Sequence, residues 1–513
     1  MKWITVKGIR EAEAMAFAQR NLPSYTAMCR AGAAVARRAA RIAVRAGISK
    51  CVVLCGPGNN GGDGFVAARC LKSDGLDVRV CMTCVPARLK GDALRAWKDL
   101  CASGVSPQVL PSAEAWQDNP WADAAVSPRH ALIIDALLGI GAKGVPSGAV
   151  ATAIHWINGS AADCPVLSVD VPSGLDADNG NAPGEAVRAD ATVTFSRPKI
   201  GFSAPSARGY LGDLSVVDIG ISGDLLEAHE CLPPEAFELI AEPELRNYLR
   251  PERLLDSHKR SYGHAVVIGG SARYPHAPVL SALAAYRAGC GLVTLDVPSA
   301  SRGAAAYWVP EAVFSEETSE LSEVTADCDA LLIGPGMGAF DAVKLDVLSA
   351  LVSDATIPRT VVDADALSAL AQLRREGWEP DRSTLRLVLT PHPGEAARLL
   401  GVSVQEIQRD RPAAARAIAK AYHAITVLKG HHTLVAAPGG ELHLCMGGNP
   451  GMATAGTGDI LAGVIVGLMA RGLGTEDAAC LGVYHHAKAG DRAAFEHGQE
   501  SLIASDLFKT LRL

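Results

Sequence analysis

At 513 residues the chain is too long for one ordinary hydrophobic core; at about 100 to 200 residues per domain, two large domains would account for it. With 49% hydrophobic and 20% charged residues it has ample apolar surface to bury, which excludes a disordered chain. A formal charge of -7 without a strongly basic block excludes nucleic acid as the main partner and leaves small molecules.

The start, Met1 to Gly8, has no apolar core followed by a small-residue cleavage site, so it is not a secretory signal and a cytoplasmic protein is expected. The longest apolar run, Ile460 to Ala470, is well short of the ~20 residues that cross a bilayer, so no membrane span is expected. The 13 cysteines are irregularly spaced, and their one close pair, Cys81 and Cys84, has no second pair to complete a zinc site. They read as buried free thiols.

Arg10 to Arg45 is alanine-rich, apolar at helical spacing and broken only at Asn21-Leu22-Pro23, which predicts two helices packed on a sheet. Short apolar strands then alternate with helical segments: Cys51 to Cys55, Val78 to Met82, Ala131 to Leu138, Val166 to Val171, Ala191 to Phe195 and Leu214 to Ile219. Such alternation predicts a parallel, helix-covered sheet. Gly223 to Arg260 is rich in Glu and Pro with little strand character, and a domain boundary falls there. Strands resume at Ala265 to Ile268, Leu292 to Val297, Ala330 to Ile333, Thr360 to Val362, Leu385 to Leu389 and Ile425 to Leu428, and two apolar helices follow.

Strand Cys51 to Cys55 runs into Gly56-Pro57-Gly58-Asn59-Asn60-Gly61-Gly62-Asp63-Gly64 and then a helix predicted over Phe65 to Ser73. Glycines there suit a strand-to-helix turn with unusual dihedrals and close approach, and the helix N-terminus favours an anion. The next strand lacks the terminal acid of an ordinary dinucleotide fold, which disfavours a dehydrogenase. Asp135 and Asp170 each end an apolar strand, where a carboxylate is costly unless paired, hydrogen-bonded or coordinated. In a parallel sheet both converge with the glycine loop at the strands' carboxyl ends, where ligands bind.

Gly58-Asn59-Asn60-Gly61-Gly62-Asp63-Gly64, Asp135-Ala136-Leu137-Leu138-Gly139 and Val169-Asp170-Val171-Pro172-Ser173-Gly174 together resemble the NAD(P)H-hydrate epimerase family over nearly all of residues 1–225. The resemblance implies a hydrated-nicotinamide site at Asn59, Asn60, Gly61, Gly62, Asp63, Gly139, Ile140, Gly141, Ala142, Lys143, Gly144, Val145 and Asp170. It also implies potassium at Asn60, Asp135 and Ser173, an oxygen-rich set that suits a hard cation. Asp170 is the expected proton-exchanging group, with Lys143 tuning charge nearby.

The second glycine-rich turn, Gly447 to Asp459, precedes an apolar helix beginning near Ile460. Its amides point at an anion, and Asp459 beside them is the candidate base for phosphoryl transfer. The turn resembles the ribokinase-like superfamily. Tyr262-Gly263-His264, Gly269-Gly270-Ser271, Gly334-Pro335-Gly336-Met337-Gly338, Asp363-Ala364-Asp365-Ala366-Leu367, Thr390-Pro391-His392-Pro393-Gly394-Glu395 and Lys429-Gly430 narrow the likeness to ADP-dependent NAD(P)H-hydrate dehydratases.

That resemblance implies substrate contacts at Ala277, Gly336, Gly338, His392 and Asp459, and nucleotide contacts at Lys429, Gly430, His431, His432, Thr433 and Gly458. It also implies ADP as co-substrate and Mg2+ in this domain. The family's usual Lys-Gly-Ala-Gly-Thr here carries His431 and His432 in its middle. Adjacent histidines are expected to point in different directions and lack partner ligands, so no metal site is expected there or at His485-His486. His392, its backbone fixed by Pro391 and Pro393, is a binding or proton-transfer candidate.

The expected architecture is α/β with two three-layer domains: a Rossmann-like epimerase domain (1–225), a linker (226–250) and a ribokinase-like dehydratase domain (251–513). The expected chemistry is epimerisation of the R and S forms of NADHX and NADPHX, then dehydration of the S form with ADP giving AMP and phosphate. A homo-oligomer is expected. The alternative is a small-molecule kinase carrying a non-catalytic N-terminal binding module.

Overall fold

The computed structural model describes residues 1–117, 131–159, 164–233, 236–241, 256–316, 321–354 and 358–512. The chain divides into two compact units, Met1–Pro234 and Glu235–Leu513.

The first unit holds a parallel sheet with spatial order Gln108–Val109, Asp77–Met82, Lys50–Cys55, Ala131–Ala136, Val166–Val169, Ala191–Phe195, Asp213–Val217. Its central strands Lys50–Cys55, Ala131–Ala136, Val166–Val169 and Ala191–Phe195 are buried almost throughout because both faces are covered. On one face Cys51, Val53, Leu132 and Ile134 pack with the helices Val6–Gln19, Ser24–Ala46 and Asn59–Ser73. On the other, Val52, Leu54, Ala131 and Ile133 pack with Ala153, Ile154 and Ile157 of the helix Gly148–Gly159. Period-2 alternation along each strand thus builds three layers.

From Lys50–Cys55 the chain winds outward through two strands and returns to pair Ala131–Ala136 on the other side of its starting strand. The crevice where the order reverses receives Gly56 and Leu137, each just past its strand. A Cβ on Gly56 would lie 1.8 Å from the Leu137 carbonyl oxygen.

The second unit holds a sheet with spatial order Glu238–Leu239, Leu442–Leu444, Leu434–Ala436, Ile425–Leu428, Leu387–Leu389, Arg359–Val362, Ala330–Ile333, His264–Ile268, Leu292–Asp296, Val313–Phe314. Leu434–Ala436 runs antiparallel to both neighbours and the other pairings are parallel. The helix Thr457–Ala470 is buried all round from Ile460 onward, which is why its sequence shows no polar face. It lies close against Ala277–Arg287 because Gly463 and Gly467 leave room for the carbonyls of Ser281 and Ala285. No helix among the described residues is long and apolar enough to cross a membrane. The 13 cysteines are free thiols, most of them buried.

Three local expectations are corrected. The stretch expected to link the domains contributes Glu230–Cys231 to a pairing with Trp3–Ile4 and Glu238–Leu239 to the second sheet. Its residues 242–250 lie outside those described. The helix expected from Phe65 begins at Asn59, so Asn59 to Gly64 are its first turns rather than a loop. The glycines of that segment have no left-handed φ. They are small because neighbours press on them: a Cβ on Gly61 would be 2.1 Å from the Gly56 carbonyl, and one on Gly64 2.6 Å from Ala136.

Candidate active sites of the two units

In the first unit, Asp135 is fully buried within its strand and accepts four hydrogen bonds. They come from the hydroxyls of Ser173 (2.5 Å) and Ser168 (2.8 Å) and the amides of Ser173 (2.9 Å) and Leu137 (3.3 Å). Burial nevertheless pushes its pKa up, with these donors opposing. Ser173 in turn accepts from the Leu138 amide at 2.8 Å, and Asn60 donates to the Leu138 carbonyl at 2.8 Å. Asn60, Asp135 and Ser173 are therefore drawn together around Leu138. The Asn60 Oδ1 is buried without a hydrogen-bond partner, which is how an oxygen awaiting a cation would look.

Asp170 follows its strand in the left-handed region, with φ 61°, a conformation that for a non-glycine residue is uncommon and points to local constraint. Its Oδ1 accepts from Lys199 Nζ at 2.7 Å and Thr194 Oγ1 at 3.1 Å. Lys199, 1% exposed, also donates to Thr194 Oγ1 (2.9 Å) and the Phe195 carbonyl (3.1 Å), so its ammonium is fully engaged. Asp63 and Glu13 stand near enough to Asp170 to feel its charge. Burial first, then Asp170, pushes Asp63 well above the usual carboxylate range and Glu13 to about 7. Sequence reasoning named neither Lys199 nor Glu13. The available signal for Lys199 was a pair of cations, Arg197 and Lys199, flanking Pro198 just past the carboxyl end of an apolar strand.

Gly139 packs against Asn60, a Cβ there lying 3.2 Å from the Asn60 Cβ. Beyond it Gly141, Lys143, Gly144 and Val145 are exposed, while Ile140 and Ala142 are half-buried. No hydrogen bond or ion pair joins Lys143 to Asp170 among the described residues. Asn59 is exposed at the helix start, whereas Gly61 and Gly62 are buried.

In the second unit the strand ends again gather the side chains. Asp363, 1% exposed, accepts from Lys429 Nζ at 2.8 Å and Thr390 Oγ1 at 2.6 Å. Lys429 Nζ also stands 3.9 Å from Glu395 Oε2 and 3.3 Å from where a Cβ on Gly458 would be, which ties its loop to the start of the Thr457–Ala470 helix. Gly456 takes φ 95° there and caps the helix, so the amides beyond it face outward. Asp459, in the first turn, has its pKa raised to about 7, by burial first and then by Asp363, Asp365 and Glu395 against Lys429. Gly336, with φ 67°, sits beside Ala277, and the Gly338 amide donates to Asp365 at 2.8 Å.

His392 caps the helix Pro393–Leu400, its Nδ1 accepting from the amides of Gly394 (3.0 Å) and Glu395 (3.3 Å). That fixes a neutral tautomer with Nε2 protonated, facing Glu395 Oε1 at 3.3 Å. The rings of His431 and His432 do not diverge as expected. They stack with centroids 3.9 Å apart, because His432 adopts φ 56° and its carbonyl is held by Arg411. No group of three or more His, Cys, Asp or Glu poised for a metal occurs among the described residues.

A family model described as NAD(P)H-hydrate dehydratase matches residues 265–513, and one described as YjeF-related protein N-terminus matches residues 24–201. The bifunctional NAD(P)H-hydrate repair enzyme Nnr of Moorella thermoacetica is 36% identical over 100% of this chain and 96% of its own length. That of Coxiella burnetii is 38% identical over 98% of this chain and 97% of its own. A solved ADP/ATP-dependent NAD(P)H-hydrate dehydratase from Bacillus subtilis, co-crystallized with ATP/Mg2+, is 30% identical and covers 54% of this chain and 96% of itself, with a TM-score of 0.48. With both matched segments in order and likeness along its whole length, the chain belongs to the family of bifunctional NAD(P)H-hydrate repair enzymes.

Proposed function

We propose that the first unit interconverts the two C6 epimers of hydrated NADH and NADPH, and that the second dehydrates the S epimer with ADP. In the substrate, C6 carries a hydroxyl and is bonded to the ring nitrogen. Departure of that hydroxyl as water leaves a cation that water re-attacks from either face. Asp170 passes the proton through its Oδ2 to the leaving hydroxyl and takes it back from the returning water, its Oδ1 being anchored by Lys199 and Thr194. The neighbouring Asp63 and Glu13, with their raised pKa values, supply and store that proton. Lys143, from its exposed loop, adds positive charge at the substrate's edge.

Asn60, Asp135 and Ser173 are the residues that would hold potassium, and the partnerless Asn60 Oδ1 supports the fit. When bound there, the ion would supply positive charge and a ligand position for a substrate oxygen.

In the second unit, Asp459 takes the proton from the C6 hydroxyl as that oxygen attacks the terminal phosphorus of ADP. The phosphorus–oxygen bond to AMP breaks, and the amides around Gly458 hold the charge on the transferring group. The C6–O bond then breaks, releasing phosphate and restoring the ring double bond of NADH or NADPH. Ala277, Gly336, Gly338 and His392 line the substrate side, and Lys429 to Thr433 the nucleotide side. The carboxylates make no Mg2+ cage, since Asp363 is committed to Lys429 and Thr390; we assign Mg2+ to the nucleotide's own phosphates.

The observation that carries the reading is Asp459, raised to about 7 at the mouth of an anion-binding helix, where a base for neutral pH belongs. Supplying a mixture of both hydrate epimers with ADP should restore the reduced-nicotinamide absorbance completely and release one phosphate per turnover. A stable phosphorylated product would identify a kinase instead. Recovery stopping at the S fraction would remove the epimerase half.

A further inference from the structure

The helix Thr475–His497 carries two polar side chains that the mechanism above leaves unused, the buried His486 and the half-buried Asp491. His486, 8% exposed, donates from Nε2 to the Thr457 carbonyl at 2.9 Å. Asp491 accepts from the Gly448 amide (3.1 Å, Oδ2) and the Asn449 side-chain amide (3.1 Å, Oδ1). Between them Gly490 admits Met452, whose Sδ would lie 2.1 Å from an added Cβ. The glycine-rich segment is thereby tied to this helix at Gly448, Asn449, Met452 and Thr457.

The peptide bond is planar and trans, so the Thr457 carbonyl and the Gly458 N–H belong to one rigid unit and point in opposite directions. A donor fixed on the Thr457 oxygen therefore sets the direction of the Gly458 N–H at the helix mouth. It also polarises that N–H, because hydrogen bonds in series strengthen one another. Burial, and then the charge of Lys429, holds the His486 pKa down to about 4, so the ring acts as a neutral donor with Nε2 protonated. The turn is also fixed within itself, Thr457 Oγ1 bonding the carbonyls of Met452 and Thr454, both at 3.0 Å. Ser281 Oγ donates to the Asp459 carbonyl at 2.9 Å.

We propose that His486 and Asp491 are positioning residues for the phosphoryl-transfer turn, His486 aiming and polarising the Gly458 amide from behind and Asp491 holding the Gly448–Asn449 arm. This rests on the dehydratase reading of the second unit, and phosphate release by the unaltered chain tests that reading separately.

His486→Leu should lower dehydratase kcat about 10–100-fold, the usual penalty for losing an outer-shell orienting partner, with a much smaller change in the KM for ADP. His486→Gln, whose amide nitrogen reaches the place of Nε2, should recover most of the loss. Asp491→Ala should lower kcat in the same range. Epimerase activity of the same chains should stay at the unaltered level and serves to normalise enzyme concentration, while the denaturation midpoint of the second unit serves as the control for folding. Full dehydratase kcat in His486→Leu would overturn the proposal, and so would His486→Gln being as slow as His486→Leu. If His486→Leu does not fold, His486→Gln and His486→Asn decide, because the shorter amide cannot reach Thr457; equal rates would overturn it.

Discussion

The two glycine-rich segments look alike in sequence and solve different problems. In Gly56 to Gly64 none of the glycines is left-handed, and Gly56, Gly61, Gly62 and Gly64 are selected by crowding, with backbone or side-chain atoms of neighbours where a Cβ would be. In Gly447 to Asp459, Gly448 and Gly456 take φ 96° and 95°, so there the chain uses glycine for its dihedral freedom. The carboxylates beside them differ in the same way. Asp170 is paired directly with a buried lysine, whereas in the second unit the half-buried Lys429 is committed to Asp363 and leaves Asp459 poised near neutrality. One site holds its acid-base group by an ion pair, the other by withholding one.

The sharpest way to break this comparison is to neutralise each carboxylate's arrangement and follow both activities in one chain. Asp459→Asn should reduce dehydration about 10³-fold, the range for a lost general base, and leave epimerisation unchanged; retained dehydration would end its role as base.

Lys199→Met should be the next largest, because it leaves Asp170 buried without its partner. About 3–5 kcal/mol of stability should go with it, read by chemical denaturation of the first unit, together with most epimerase activity. Lys199→Arg should recover part of both.

The glycines come next. Gly61→Ala should destabilise by about 1–3 kcal/mol through overpacking, since its added Cβ meets backbone 2.1 Å away. Gly456→Ala should cost about 1–2 kcal/mol through left-handed strain, because the nearest obstacle is the flexible Leu280 side chain. Denaturation midpoints of the two variants test that order.

The pH profile sharpens the electrostatic half. Asp459 must be ionised to accept a proton, so dehydratase kcat should be full above pH about 7 and fall about tenfold per unit well below it. Asp459→Glu should move that limb, and a flat profile between pH 5 and 8 would contradict the assignment. The smallest effect is expected at Lys143, exposed and unpaired with Asp170: Lys143→Ala should change epimerase KM by less than about fivefold, the scale of an exposed charge.

Much of this was legible because strands buried on both faces must be apolar. The central strands Ala191–Phe195, Ala330–Ile333 and Ile425–Leu428 stand where their apolar runs predicted. The short edge strands Gln108–Val109 and Val313–Phe314 gave no such signal, being two residues long and only partly buried. The start of the helix at Asn59 was hidden because three glycines among its first residues lower local helix propensity, and only packing against the sheet restores it.

The glycine turns, the strand-end carboxylates and their order along the chain are properties of the sequence alone, and they sufficed for fold class and family. What the tertiary structure decided is which partner each charge acquires. Lys199 meets Asp170 across 29 residues, Lys429 meets Asp363 across 66, and His486 reaches Thr457 across 29. These separations carry no periodic signal. A buried charge is tolerable only where the fold delivers its partner within hydrogen-bonding distance, and that is set by how helices and strand ends pack.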